Sequence, residues 1–234
     1  MNKFIDIANI YNLFLKLEER RALSPIIEDV VDVPLIENEK EELLDVVQYI
    51  IKRTPSFKKT IKNILNLMIE YDFANTPSVD KNYDIYLKKT FSNYDLLYEI
   101  DLFTHSTNVA YETLKLSKQG NTAGINVMCA LLHDFGKSLA VKRLVHNSAK
   151  MSHEKISAKF LQDYLSSEAL NGNREITKDV VDTVYQTINV QHSPVKIKND
   201  FLKDLILADK NARTQEIIYV KKYIKPGSSK EEEL

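Results

Sequence analysis

The stretch CALLHDFGKS at residues 129–138 decides how the rest of the chain is interpreted. Its small and apolar residues end abruptly in His133 and Asp134, and Lys137 follows one turn later. Residues 122–137 are mostly apolar on all sides, a pattern typical of a central, buried helix. An imidazole or a carboxylate is costly to bury unless it is paired or bound to a cation, so the end of this helix needs a partner.

The rest of the sequence has the composition of a globular protein. Its 234 residues are 44% hydrophobic and 28% charged, which suits one large domain or two small ones. A formal net charge of −1 gives no overall field toward nucleic acid or a membrane surface. No apolar stretch is long enough to span a bilayer, and the single cysteine, Cys129, excludes a disulfide within the chain. A cytoplasmic location is therefore expected, with Cys129 as a small buried hydrophobic residue.

Periodicity and the scarcity of helix-breaking residues predict an all-α protein. Only five glycines and six prolines are present, which argues against a strand-and-turn architecture. The predicted helices cover residues 3–20, 39–53, 54–73, 92–120, 122–137, 152–167, 177–193 and 200–214. Thr54, Ser152 and Thr177 are expected as N-caps. Residues 216–220 could be extended, and residues 226–234 have the composition of a disordered tail.

The histidines and one distant aspartate fall where predicted helices would meet. The five histidines are His105, His133, His146, His153 and His192. Four of them lie on an inner helix face or at a helix end, and Asp209 interrupts the apolar stretch LILADK. Taken singly, a buried histidine is usually a core residue, and Asp209 suits a surface salt bridge equally well. As an ordered set they are least costly to bury around a shared cation, and these ligand types suit Zn, Fe, Mn, Ni or Co better than Ca.

The order of these residues resembles the HD superfamily of metal-dependent phosphohydrolases. The matching words are LFTHSTNVA around His105, ALLHDFGK around His133 and Asp134, and LILADKNAR around Asp209. The resemblance covers about residues 95–215. It implies an HD-domain bundle of helices in which these four side chains bind a metal.

Two further histidines extend the resemblance to members of the superfamily that bind two metals. His153 and His192 occupy the places where those members have extra ligands. By that likeness the first ion is held by the four side chains just named and the second by this pair, with Asp134 bridging the two. A single ion is the alternative. Fe and Mn are the expected metals, and Ni, Co, Zn and Mg stay open.

Departures from known subgroups leave the substrate unassigned. No DGxGYP follows His153, which excludes the type that degrades cyclic di-GMP. FGKS follows the His-Asp pair in place of the acidic couple of alarmone hydrolases, and His192 is single where a doublet would be expected. The resemblance therefore implies hydrolysis of a nucleotide or another small phosphoester by a metal-activated water.

Cations near the proposed ligands are candidates for contacts with the substrate. The residues expected to be catalytic are Asp134 and Lys137, and those expected to bind substrate are Lys137, His146 and Arg213. A solvated surface position or a plain salt bridge is the alternative for each of the three. Gly136 is expected to end the helix so that Lys137 can turn back. Asp101, one turn before His105, could orient its ring or face solvent.

Two other functional classes stay open. The same ligand order resembles the mixed-valent diiron oxygenases built on this fold. A non-catalytic bundle that senses a nucleotide or accompanies nucleic acid is the second alternative. The expected partner is a small-molecule phosphoester, with no membrane; nucleic acid and a homo-oligomer stay open.

The polar segment at residues 74–84 is the best internal boundary in the sequence. It separates an N-terminal helical region, residues 1–91, from the predicted HD domain, residues 92–215. Residues 216–234 form a C-terminal extension that includes the disordered tail. The N-terminal region is expected to act as a lid, a dimer surface or a docking module.

Overall fold

A computed structural model of the chain describes residues 40–79, 93–117, 120–193 and 199–224. The predicted helix at residues 3–20 and the predicted tail at residues 226–234 lie outside these ranges. Within them the chain is helical, with one isolated bridge between Pro77 and Asp101 and no strand, which confirms the all-α prediction. The α-helices are α1 (Lys40–Arg53), α2 (Lys58–Glu70), α3 (Asn93–Leu96), α4 (Leu102–Leu116), α5 (Asn121–Leu132), α6 (Leu139–Leu144), α7 (His153–Leu170), α8 (Lys178–Asn189) and α9 (Asp200–Tyr219).

Helix α5 is the central helix of the bundle, as its apolar composition predicts. It packs against α2, α4, α8 and α9, and its residues from Val127 to Leu132 are all buried. Around it α4 packs on α9, and α7 packs on α8. The end of α5 therefore lies at the centre of the bundle, where the ends and faces of its neighbours meet.

The prediction of one long helix at residues 92–120 is wrong, because the helix is interrupted between α3 and α4. A 3-10 turn at Leu97–Glu99 follows α3, and Asp101 then caps α4 by accepting a hydrogen bond from the backbone N–H of Thr104 at 2.7 Å. At this interruption, backbone groups of Ile100 and Leu102 form hydrogen bonds with a short segment at residues 76–79, called the strap below. There the Leu102 N–H donates to the carbonyl of Thr76 at 2.7 Å, and the Ser78 N–H donates to that of Ile100 at 2.9 Å.

Three predictions at helix ends also need correction. Thr54 does not cap α2; its hydroxyl donates to the Ile50 carbonyl, and a 3-10 turn at Pro55–Phe57 precedes the helix. Ser152 stands at the start of α7, but its hydroxyl donates to the carboxylate of Glu154 rather than accepting from the backbone. Thr177 caps α8 as predicted.

Residues 216–220 are helical rather than extended. Helix α9 continues to Tyr219 and passes into a π-helical turn at Val220–Ile224. Helix α9 thus spans twenty residues, and Asp209 lies near its middle.

Helices α1 and α2 share one hydrophobic core with the rest of the bundle. Ile50, Ile61, Ile64 and Met68 have no exposed surface and belong to the same buried cluster as the residues of α4 and α5. The predicted boundary at residue 91 stays a prediction. Among the described helices, none has both the length and the hydropathy that crossing a bilayer requires.

Candidate metal centre

Five side chains from four helices meet at the end of α5. His105 comes from the first turn of α4, His133 and Asp134 directly follow α5, His153 begins α7, and Asp209 comes from α9. Because α5 is the most enclosed helix, its C-terminal end brings His133 and Asp134 into the interior rather than to the surface. His105 and Asp209 are more than one hundred residues apart in the sequence, so only the packing of the bundle brings these groups together.

The closest group consists of His105, His133 and Asp134. Their ligand atoms all lie within 4.8 Å of one another, and all three side chains are buried. Oδ2 of Asp134 is 3.2 Å from Nε2 of His133 and 3.7 Å from Nε2 of His105. Oδ1 of Asp209 lies 3.3 Å from the same Nε2 of His105. This set of two imidazoles and two carboxylates has the composition of a transition-metal site.

Several buried polar atoms at the site have no hydrogen-bond partner within the protein, which suggests that they bind a shared ligand. Seven buried side-chain nitrogen or oxygen atoms of the described residues have no hydrogen-bond partner, and four of them belong to the predicted ligands. These four are Nε2 of His105, His133 and His153, and Oδ1 of Asp209. Buried polar atoms are nearly always hydrogen-bonded, so four such atoms at one site fit a bound cation. The residues present therefore fit the divalent metal that the sequence predicts.

The hydrogen bonds of two histidines direct one nitrogen of each ring toward the cluster. Nδ1 of His133 lies 2.6 Å from the carbonyl oxygen of Ala130. A carbonyl can only accept, so Nδ1 donates its proton there and Nε2 is the nitrogen that faces the cluster. Nδ1 of His105 lies 3.0 and 3.2 Å from the two carboxylate oxygens of Glu216. This ring is therefore also oriented with Nε2 toward the cluster.

The electrostatics of the cluster keep its carboxylates ionised. Burial opposes ionisation of Asp134, but the neighbouring His133 and Lys137 outweigh it and hold the pKa of the carboxyl well below its usual range. Burial also opposes ionisation of Asp209, yet the contact with His105 lowers its pKa to about 2. Both groups are therefore anionic at neutral pH and available as ligands.

His153 and His192 lie together beside the first cluster. Nε2 of His153 is 3.5 Å from Oδ1 of Asp134, the oxygen that faces away from His105 and His133. The rings of His153 and His192 have centroids 5.3 Å apart, and His192 is exposed. Burial lowers the pKa of His153, which favours the neutral form that ligates metals. Asp134 thus faces the two groups of histidines with different oxygens.

Lys137 and Arg213 both point into the site and are held there by the strap. Nζ of Lys137 donates to Oδ2 of Asp134 at 2.6 Å and to the carbonyl of Ser78 at 2.8 Å. Arg213 donates to the same carbonyl at 3.2 Å and to the Ser78 hydroxyl at 2.7 Å. Arg213 also pairs with Glu216 at 3.2 Å, so the salt-bridge alternative describes its contacts. Their contact with substrate stays a prediction.

Two sequence-based interpretations need a different account, and a third stays a prediction. His146 is exposed and forms no hydrogen bond or ion pair with the residues that the structure describes, so its contact with substrate stays a prediction. Asp101 caps α4 and does not orient His105, because Glu216 is the carboxylate at Nδ1 of that ring. Gly136 does not end the helix, since α5 ends at Leu132 and Gly136 lies inside the 3-10 turn at Phe135–Lys137. An added Cβ there would overlap the backbone oxygen of His153, so glycine is needed for close packing.

Sequence reasoning missed Glu216 and Ser78. Glu216 lies two helical turns after Asp209 on the same face of α9, and its charge within the apolar run EIIYV was a signal that could have found it. Ser78 is fully buried and had no signal, since its role depends on where the strap passes in space.

Comparison with known proteins adds one finding. Residues 102–222 match the family model described as the HD domain. No curated protein and no solved structure matches the chain. The matched range contains every predicted ligand and excludes the strap.

Proposed function

The chain belongs to the HD domain family, since the family model matches just over half of its 234 residues, and on that premise we propose that it is a metal-dependent phosphohydrolase. HD domains are commonly metal-dependent phosphohydrolases. The proposed substrate is a nucleotide or another small phosphoester. The observation that carries the proposal is a set of four buried ligand atoms without a hydrogen-bond partner, three of them beside Asp134 and the fourth, on Asp209, beside His105.

The proposed ligands divide between the two oxygens of Asp134. His105, His133 and Asp209 would hold a first ion together with that carboxylate. His153 and His192 would hold a second ion, with Asp134 bridging, and Fe or Mn are the metals we expect. When bound, such ions supply Lewis-acid activation of a water and positive charge for the phosphoryl oxygens.

Lys137 is placed to help bind a phosphoryl group. Its ammonium group has three N–H donors, and in the described part of the chain it uses two, toward Asp134 and Ser78. The third is available to an oxygen of the substrate. Because the side chain is held at both contacts, little conformational entropy is lost when it donates.

The charge around the mouth of the site favours an anionic substrate. Residues 138–152, which include helix α6, connect Lys137 to His153, and both of these residues contact Asp134. This segment contains three cations and no carboxylate; they are Lys142, Arg143 and Lys150. None of the three forms an ion pair within the described ranges, so their charge is available to attract a phosphate ester.

The test is hydrolysis of generic phosphodiester and nucleotide substrates by the protein loaded with Mn²⁺ or Fe²⁺. Asp134→Asn keeps the shape of the side chain and removes the charge that the proposed ions share. We expect its turnover to fall by more than about a hundredfold, since outer-shell changes alone cost about 10–100-fold. The matched control is Asp163→Asn, an exposed aspartate of α7, which should keep full turnover.

The result that would contradict the mechanism is full activity in Asp134→Asn with an unchanged circular dichroism spectrum. Consumption of oxygen by the iron-loaded protein would instead favour the oxygenase alternative. Nucleotide binding without turnover across several metals would favour a sensing role.

A further inference from the structure

We propose that Glu216 is a positioning residue that holds His105 for metal binding, with Nδ1–H toward Glu216 and Nε2 toward the cluster. The inference rests on the proposed metal site and adds a residue that the resemblance does not assign. Both oxygens of Glu216 contact Nδ1 of His105, at 3.0 and 3.2 Å. His105 is fully buried and Glu216 is 2% exposed, so the contact lies in the interior of the protein.

The carboxylate of Glu216 is itself fixed by donors on both of its oxygens. Nδ2 of Asn108 donates to Oε1 at 3.1 Å, and Nη1 of Arg213 donates to Oε2 at 3.2 Å. These contacts offset the cost of burying the charge. A carboxylate held in this way cannot rotate away from His105, and so the ring orientation is determined before a metal arrives.

The direction of the hydrogen bond determines which nitrogen of His105 is the ligand. An ionised carboxylate only accepts, so Nδ1 must donate its proton to Glu216. Nε2 is then the nitrogen that remains for a metal, and it lies 3.3 Å from Asp209 and 3.7 Å from Asp134. Carboxylate partners of this kind fix the tautomer and raise the basicity of a ligating histidine. Glu216 therefore acts on the metal through His105.

The strap reaches the same carboxylate through Arg213. The Ser78 hydroxyl and carbonyl hold the guanidinium that pairs with Glu216. A merely structural role for Glu216 in this network predicts lower stability without a specific loss of metal affinity. The two roles can therefore be separated by measuring both quantities on the same variant.

The experiment measures Mn²⁺ affinity by isothermal titration calorimetry in the wild type and in Glu216→Gln, alongside thermal unfolding. We expect Mn²⁺ to bind about 10–100-fold more weakly to the variant, since the amide lacks the charge that supports His105. The matched control is Glu112→Gln. Glu112 lies on α4, lines the same cavity as Glu216 and pairs with Lys115, so its loss should leave Mn²⁺ affinity within about twofold.

Chemical rescue provides a second variant. Glu216 lines a cavity of about 530 Å³ between α1, α4 and α9, which gives small anions access to its position. In Glu216→Ala, added formate should restore part of the Mn²⁺ affinity, whereas chloride at equal ionic strength should not. Rescue by formate supports a carboxylate acting on His105, and equal effects of the two anions count against it.

A measurement on the wild type does not depend on any variant folding. In the Zn²⁺-loaded protein, ¹⁵N-resolved NMR of the histidine rings should show a proton on Nδ1 of His105. A metal-bound Nδ1 would overturn the proposal. Unchanged Mn²⁺ affinity in Glu216→Gln would also overturn it, and would leave the proposed function standing if Asp134→Asn loses Mn²⁺ binding. If Asp134→Asn binds Mn²⁺ as tightly as the wild type, the metal site itself is wrong.

Discussion

Asp134 shows at the scale of one residue why a buried carboxylate is tolerated in this bundle. One oxygen faces His105, His133 and Lys137, and the other faces His153. The opposite charges around it outweigh the cost of burial, so the group stays ionised. Lys137 is the nearest of these partners, with its ammonium 2.6 Å from the carboxylate.

Cys129 is the contrasting residue, because its burial has no ionic partner to offset it. Burial raises the pKa of the thiol to about 12, and the side chain has no exposed surface. The thiolate is the reactive form, so the folded protein should be almost inert toward a thiol reagent. We expect labelling by a disulfide reagent at pH 8 to be at least about a thousandfold slower in the folded than in the unfolded chain, since it needs unfolding.

The pH dependence of the labelling rate gives a second test of whether Cys129 is buried. Raising the pH from about 7 to 9 crosses the ordinary thiol pKa of about 8.5 and should strongly accelerate labelling of the unfolded chain. The same change leaves the folded thiol protonated, since its pKa lies far above this range. Rapid stoichiometric labelling of the native protein at pH 8 would show that Cys129 is accessible.

At the scale of elements, the site depends on how closely the turn after α5 packs on the start of α7. The Gly136 N–H donates to the Ser157 hydroxyl at 2.7 Å, and an added Cβ at Gly136 would lie 2.9 Å from Cβ of Ile156 and overlap the backbone oxygen of His153. This contact brings the first residue of α7 beside Asp134. The turn and the helix therefore position His153 as a unit.

Gly136→Ala tests this packing. The added methyl group must push α7 away, and overpacking of this kind typically costs about 1–3 kcal/mol. For a chain of this size that corresponds to a fall in Tm of about 2–4 °C per kcal/mol, measured by thermal unfolding. Mn²⁺ affinity should fall as well, because His153 moves with the helix.

The comparison variant is Gly124→Ala, in the first turn of α5. Its added Cβ would meet the ring of Phe57, a buried side chain of the core, and none of its close contacts involves His153. It should lose stability without losing Mn²⁺ affinity. Equal Mn²⁺ affinity in both variants would remove the link between Gly136 and the site.

At the scale of the whole molecule, residues 40–79 share a hydrophobic core with the helices of the HD domain. Ile50, Ile61 and Ile64 are completely buried in the core that α4 and α5 also form. The Ser78 strap, which lies outside the family match, holds Lys137 and Arg213 at the site. Both the core and the site therefore depend on residues before the matched range.

A chain limited to residues 93–224 should not fold cooperatively. Each fully buried Ile, Leu, Met or Phe contributes roughly 1.5–3 kcal/mol by area, and α1 and α2 supply several. The net stability of a domain is only about 5–15 kcal/mol, so losing this part of the core should remove cooperative folding. The full chain should unfold in one sharp transition by circular dichroism, whereas the shortened chain should unfold gradually and bind a hydrophobic dye. A sharp transition in the shortened chain would show that the HD domain is independent.

The sequence by itself determined the helical class, the central helix α5 and the residue types of the cluster. These follow from local pattern: apolar periodicity specifies α5, and a His-Asp pair at the end of an apolar run needs a partner wherever it is placed. The family model agrees with that interpretation. Thr177 was also predictable as a cap, since its contact is with a residue three positions away.

Which residues support the cluster of metal-binding side chains depends on the tertiary structure. Glu216 lies more than one hundred positions from His105, and Ser78 reaches Arg213 from outside the matched range. The break before α4 depends on backbone bonds to the strap, and the need for glycine at 136 depends on His153. Contacts between distant segments arise from how helices pack in space, and single-sequence periodicity carries no information about them.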